Sequence, residues 1–158
     1  MNKEEWMNKL LGDELIAHMQ YIIAAQFVKG KESDRCFEEF EQHAKEEQEH
    51  FTNLLNYMVS EKMNVNSDLQ TLITQSKSGY TKMTETDKKD LLEFHLKAEE
   101  DAIKAYKEFF EELDKEEKPD VKLLEIIRDI IKDEEEHKED LEKILKTITK
   151  PKDEYFDY

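Results

Sequence analysis

The chain reads as all-α, a four-helix bundle with one long crossover between the second and third long helices. Three observations predict it. Its 158 residues include only three glycines and two prolines, with 41% charged and 37% hydrophobic residues. That composition suits long solvated helices and leaves little for turns or sheets. Apolar side chains recur at three- and four-residue spacing through four separate stretches, the signature of amphipathic helices. Between the second and third of these, residues 64–84 are too many for a tight turn, so the third helix is not forced antiparallel to the second. The length fits a single domain, residues 1–158, with a substantial core.

The first helix is predicted over 4–29, with a stripe through Met7, Leu10, Leu11, Leu15, Tyr21, Ala25 and Val28 and an end near Gly30, a natural C-terminal cap. The second, over 34–63, carries Phe37, Phe40, Ala44, Phe51, Leu54 and Met58. The linker after it is polar, with one apolar piece at 69–73 able to form a short helix. Thr86 is the expected cap of the third helix, 86–113, whose stripe holds Leu91, Leu92, Ala98, Ala102, Tyr106 and Phe109. Pro119 suits the first turn of the fourth helix, 119–148. Lys150-Pro151 closes the helical region, and the tail 149–158 is acidic and aromatic.

Several function classes are disfavoured. The formal charge of −16 repels phosphates and argues against direct nucleic-acid binding, while suiting cations. The N-terminus lacks the apolar core of a secretory signal, and no apolar run approaches a membrane span. Cys36 is the only cysteine, so no intramolecular disulfide can form. A cytoplasmic protein, with no membrane partner, is expected.

The informative feature is where the stripes break. On the fourth helix the apolar face passes through Ile127, Ile130 and Ile131, resumes at Leu141, and is interrupted by Glu134 and His137, with Lys138 at its edge. The other stripes are broken by Glu14, by Glu47 with His50, and by Glu99. Two helices thus give one glutamate each, and two give Glu-x-x-His. Residues three apart share a helical face, so each Glu-His pair can reach one ion. Carboxylates bridge hard metal ions and imidazole suits iron. Buried carboxylates need a counter-charge, and a metal pair supplies it. Buried ion pairs in a metal-free acidic scaffold are the alternative.

With these residues in view, the sequence resembles the ferritin superfamily, and within it the bacterioferritins and their Dps-like relatives. Glu-Leu-x-Ala-x-x-Gln-Tyr at Glu14 to Tyr21 resembles the bacterioferritin first-helix pattern, and AKEEQEH and KDEEEH resemble the two Glu-x-x-His segments. The resemblance covers roughly residues 5–147. It implies a ferritin-like bundle with a di-iron centre, in which Glu14 and Glu99 are terminal ligands, Glu47 and Glu134 bridge, and His50 and His137 each cap one iron. Tyr21 matches a family tyrosine near the centre, and a core aromatic is an equal reading of it. Haem is not expected, because the methionine that ligates it in bacterioferritins is replaced by Gln48. The short stretch after His137 and the possible linker helix lean towards a 12-subunit cage over a 24-subunit one.

His18, His43 and His95 lie four residues from Glu14, Glu47 and Glu99 respectively. They are expected to form a second layer one helical turn, about 5.4 Å, from the centre, either as hydrogen-bonding support or as a further metal position or entry path. The function these readings imply is a ferroxidase, with Fe2+ and O2 or H2O2 as substrates, depositing Fe3+ inside a homo-oligomeric cage. Rivals are a peroxide-consuming protective protein and a non-cage di-metal oxidase or peroxidase.

Overall fold

Asn2 begins the first helix, α1 (Lys3–Val28), by accepting the Glu5 backbone N–H at 3.1 Å, a standard N-cap. In the computed structural model, which describes residues 2–29 and 34–149, four further helices follow. They are α2 (Asp34–Ser60), α3 (Leu69–Thr74), α4 (Lys88–Asp114) and α5 (Val121–Thr149). The four long helices form the bundle, and α3 lies within the crossover as expected. Side-chain contacts of Tyr21 with Phe40 and Glu14 with His50, and of Trp6 with Phe109 and Tyr21 with His95, show α1 antiparallel to both α2 and α4. The crossover therefore returns α4 to the direction of α2.

Three ends differ from the sequence reading. The second helix stops at Ser60, not at 63, because Lys62 turns into the left-handed region with φ 57°. The Met63 N–H then donates to Met58 O at 2.9 Å and the Lys62 N–H to Val59 O at 3.1 Å, a Schellman ending. Met63 packs on the core after that turn, which is why its apolar position extends the predicted helix too far. Asp87 caps α4 in place of Thr86, accepting from the Lys89 N–H at 3.0 Å. Pro119 lies before the fourth long helix, whose start is set by Asp120 accepting from the Leu123 N–H at 3.0 Å. The predicted Gly30 cap and the tail beyond Thr149 lie outside the described residues.

The crossover is ordered by hooks from α1. Asn8 Nδ2 donates to Asn64 O at 2.8 Å, Asp13 accepts the Ser78 N–H at 2.9 Å, and Gln20 Nε2 donates to Thr81 O at 2.8 Å. Between them α3 approaches so closely that a Cβ on Gly12 would stand 2.2 Å from Leu72 O. Only glycine permits that contact.

The apolar interior is split. One cluster, around Met7, Leu54, Tyr106, Phe109 and Ile127, fills one end of the bundle. A second, around Ala24, Phe40, Leu92 and Leu141, fills the other. Between them lies a polar layer.

Candidate metal centre

That layer contains Glu14, Glu47, His50, Glu99, Glu134 and His137, each 3% exposed or less. Every one sits on the inward face of a long helix, so the bundle geometry alone brings the six together. They form two groups whose ligand atoms lie within 4.8 Å of one another: Glu14, Glu47, His50 and Glu134, and Glu47, Glu99, Glu134 and His137. Glu47 and Glu134 belong to both. His50 Nδ1 stands 3.3 Å from Glu14 and 3.5 Å from Glu47 and Glu134. His137 Nδ1 stands 3.3 Å from Glu47 and Glu134 and 3.5 Å from Glu99.

The outer ring nitrogens are held by a crossed pair of acids. His50 Nε2 meets Asp133 Oδ2 at 3.1 Å, and His137 Nε2 meets Glu46 Oε2 at 2.6 Å. Donation from Nε2 means that loss of the Nδ1 proton would leave each Nδ1 lone pair facing the centre, the tautomer a metal ligand requires. Glu14 and Glu99, each in only one of the two four-residue groups, are crossed in the same way. The Tyr106 hydroxyl on α4 donates to Glu14 on α1, and the Tyr21 hydroxyl on α1 donates to Glu99 on α4. Glutamate and tyrosine seven apart on both α1 and α4, with acid-Glu-x-x-His on both α2 and α5, give the site an approximate two-fold axis. Tyr106, Glu46 and Asp133 are the site residues the sequence reading missed. The repeated spacing was the signal that could have found them.

Without metal, the centre balances its charge with protons. Burial raises the Glu14 and Glu99 carboxyls well above the usual range. Burial alone would lower the pKa of His50 and His137, but the surrounding carboxylates outweigh it and hold both rings as cations. Those cations in turn keep Glu47 and Glu134 ionised, against the cost of their burial. Yet Glu14 Oε2, Glu134 Oε2 and both inward Nδ1 atoms have no aligned hydrogen-bond partner among the described residues. Orphaned buried groups are costly. Four carboxylates and two imidazoles converging on two shared quartets fit a pair of divalent cations, which would satisfy the orphans and cancel the four negative charges.

The second histidine layer forms only in part. His43 stacks on His137 with ring centroids 4.0 Å apart, and His95 stacks on Tyr21 at 4.0 Å, both on the same side of the centre. His18 departs from the expectation. It is half-buried at the α1–α2 seam, its Nδ1 2.6 Å from Ala44 O. Tyr21, seven residues after Glu14, takes the inward direction, and His18 is rotated roughly 60° from it at about 100° per residue. Lys138 lies at the bundle edge, 3.4 Å from Glu100. Gln48 is exposed beside Glu47.

A cavity of about 260 Å³ runs between α1 and α4 to Glu14, Glu47, Glu99 and Glu134, with Ser78, Gly79 and Thr81 of the crossover at its rim. Asp13 stands in its wall with its carboxyl pushed up to about 6 by burial. No helix among the described residues is long and apolar enough to cross a membrane.

A helical bundle with a long crossover and a mid-core layer of carboxylates and imidazoles defines the ferritin-like class. The family model described as Ferritin, Ferritin-like domain, matches residues 4–150, and the chain belongs to that family. Among solved structures it is similar to the dodecameric thioferritin described as the bacterioferritin-related protein of Bacteroides fragilis. The TM-score is 0.86 at 26% identity, over 98% of this chain and 90% of that one. The bacterioferritin of Rhodobacter capsulatus, described with a metal-free dinuclear site and haem iron, shares the fold with a TM-score of 0.74 at 23% identity. That match covers 91% of this chain and 83% of the other. Comparison with curated protein sequences gives no match.

Proposed function

We propose that this protein is a ferroxidase that oxidises Fe2+ at the Glu14, Glu47, His50, Glu99, Glu134 and His137 centre and stores the Fe3+ in a homo-oligomeric cage. The observation that carries this is the pair of buried quartets sharing Glu47 and Glu134. Two Fe2+ would be held side by side by the shared carboxylates, with Glu14 and His50 on one and Glu99 and His137 on the other. Each Fe2+ gives up one electron. O2 takes the pair with two protons and leaves as H2O2, or H2O2 takes them with two protons and leaves as water.

The chain's own residues set the conditions. Glu46 and Asp133 fix the imidazole tautomers, Tyr21 and Tyr106 orient the terminal carboxylates, and the apolar clusters above and below limit water to the α1–α4 cavity. Such a dry, pre-shaped site is the protein's contribution to metal chemistry. The crossover rim of that cavity is the route for Fe2+ and oxidant.

A cage is supported by the dodecameric Bacteroides fragilis relative and by an exposed apolar strip on α1, with Met19, Ile22, Ile23 and Phe27 each 38% or more exposed. Haem held through a methionine after Glu47 is not part of this reading, since Gln48 offers no thioether. Under this reading the protein works in the cytoplasm as a single ferritin-like domain.

Anaerobic Fe2+ titration followed by measured additions of O2 or H2O2 tests the proposal. Two Fe2+ bound and oxidised per subunit support it, and the faster oxidant separates storage from a peroxide-consuming protective role. A protein that binds no stoichiometric iron is a metal-free scaffold. Size-exclusion chromatography separates a cage of hundreds of kilodaltons from a small di-metal oxidase.

A further inference from the structure

The approximate two-fold axis fails one helical turn from the centre. Four residues before Glu14 and Glu134 stand Leu10 and Ile130, 0% and 2% exposed. Four residues before Glu99 and Glu47 stand His95 and His43, each 1% exposed. The apolar pair shows what packing alone requires at this level. Histidine costs more there, because neither His43 ring nitrogen nor His95 Nε2 has a hydrogen-bond partner among the described residues. A buried polar group left unsatisfied costs about 1–3 kcal/mol.

His43 is also directed at two acids that have no counterpart across the axis. Its Nε2 lies 3.6 Å from Glu39 Oε2, one turn earlier on α2. Ligand atoms of Glu39, His43 and Asp140 of α5 lie within 4.8 Å of one another. The equivalent positions at the other end are Ile126, Ile130 and Asn53. The same ring forms an inward group with Glu99 and His137.

We propose that Glu39, His43 and Asp140 form a third divalent transition-metal site at the α2–α5 seam, separate from the central pair and joined to it through the His43 ring. Its donor set of one imidazole and two carboxylates suits Fe2+ or Zn2+. Ligands around a tetrahedral ion at about 2.1 Å stand about 3.4 Å apart, so closing the site needs only small rotations. Glu39 and Asp140 can make them, with side chains 20% and 32% exposed. Their present partners, Arg35 at 4.0 Å and Lys143 at 3.1 Å, are more than half exposed. Such surface pairs contribute roughly 0–1 kcal/mol and yield to a chelated dication.

Zn2+ tests this without redox chemistry. Crystals of the full-length protein soaked in Zn2+ should give an anomalous peak bonded to His43 and to Glu39 or Asp140, besides two peaks in the centre. The double variant E39Q/D140N, altered only at part-exposed positions, should lose the seam peak and keep the central two. Equilibrium dialysis should fall by one Zn2+ per subunit. Central peaks with none at the seam overturn the proposal, as does a seam peak that survives E39Q/D140N. A seam peak with none in the centre upholds this site and refutes the two-metal reading of the centre.

Discussion

Tyr21 and Glu99 are hydrogen-bonded across the α1–α4 seam, and Tyr106 and Glu14 repeat the bond in the opposite sense. Glu14 and Glu99 are therefore each positioned by the helix they do not belong to. Burial and the neighbouring carboxylates raise both phenols well above their ordinary value, so both stay protonated donors at working pH. Tyr21→Phe and Tyr106→Phe should each lower metal affinity or initial Fe2+ oxidation rate by about 10- to 100-fold, the usual effect of removing an outer hydrogen bond. Stopped-flow oxidation compares them. A loss from one variant alone would show that the two-fold arrangement does not extend to function.

Bridging and terminal glutamates should behave differently on removal. Glu134→Ala deprives both groups of a shared ligand and should abolish tight binding of both ions. Glu99→Ala removes a ligand from one group and should leave a single tight site in the centre, counted apart from any ion at the Glu39–His43–Asp140 seam. Isothermal titration with Co2+ counts them. In a metal-free scaffold, neither change would alter metal binding.

Metal loading should expel protons. Glu14 and Glu99 are pushed up by burial and hold their protons, while His50 and His137 are kept as cations by surrounding carboxylates. Two dications replace those protons, so about four should leave per metal pair. Because metal binds the deprotonated forms, apparent affinity should weaken as pH falls and strengthen as it rises. Zn2+ calorimetry in buffers of differing ionisation heat measures the release. A release near zero would mean that the carboxyls and imidazoles are already deprotonated in the metal-free protein.

Gly12→Ala should loosen the crossover. The added Cβ meets the Leu72 backbone oxygen at 2.2 Å and Ser76 Cβ at 3.0 Å, and overpacking of this kind costs roughly 1–3 kcal/mol. Denaturant unfolding gives the cost. Faster hydrogen exchange confined to residues 64–84 would place it in α3 and its flanks.

The sequence made the bundle and the six central residues legible because both follow from helical spacing. A charged residue on an apolar stripe must face its counterparts on the other helices once they pack. What stayed hidden depended on partners far apart in the chain. Tyr106 looked like another core aromatic until Glu14 lay opposite it. Glu46 and Asp133 looked like solvated charges until each met the other hairpin's histidine. His18 failed because four-residue spacing fixes height along a helix but not which neighbour takes the inward angle. The end of α2 at Lys62 required a lysine in a left-handed conformation, which no sequence pattern signals.

The divided interior has a consequence for durability under turnover. Each apolar cluster draws residues from all four long helices, so either end is a complete miniature bundle with its own closure. On the proposed function, the layer between them would gain and lose its ions without the architecture depending on them. Many small metallodomains collapse when stripped. Here the two apolar ends would hold the four long helices together whether the middle is filled or empty.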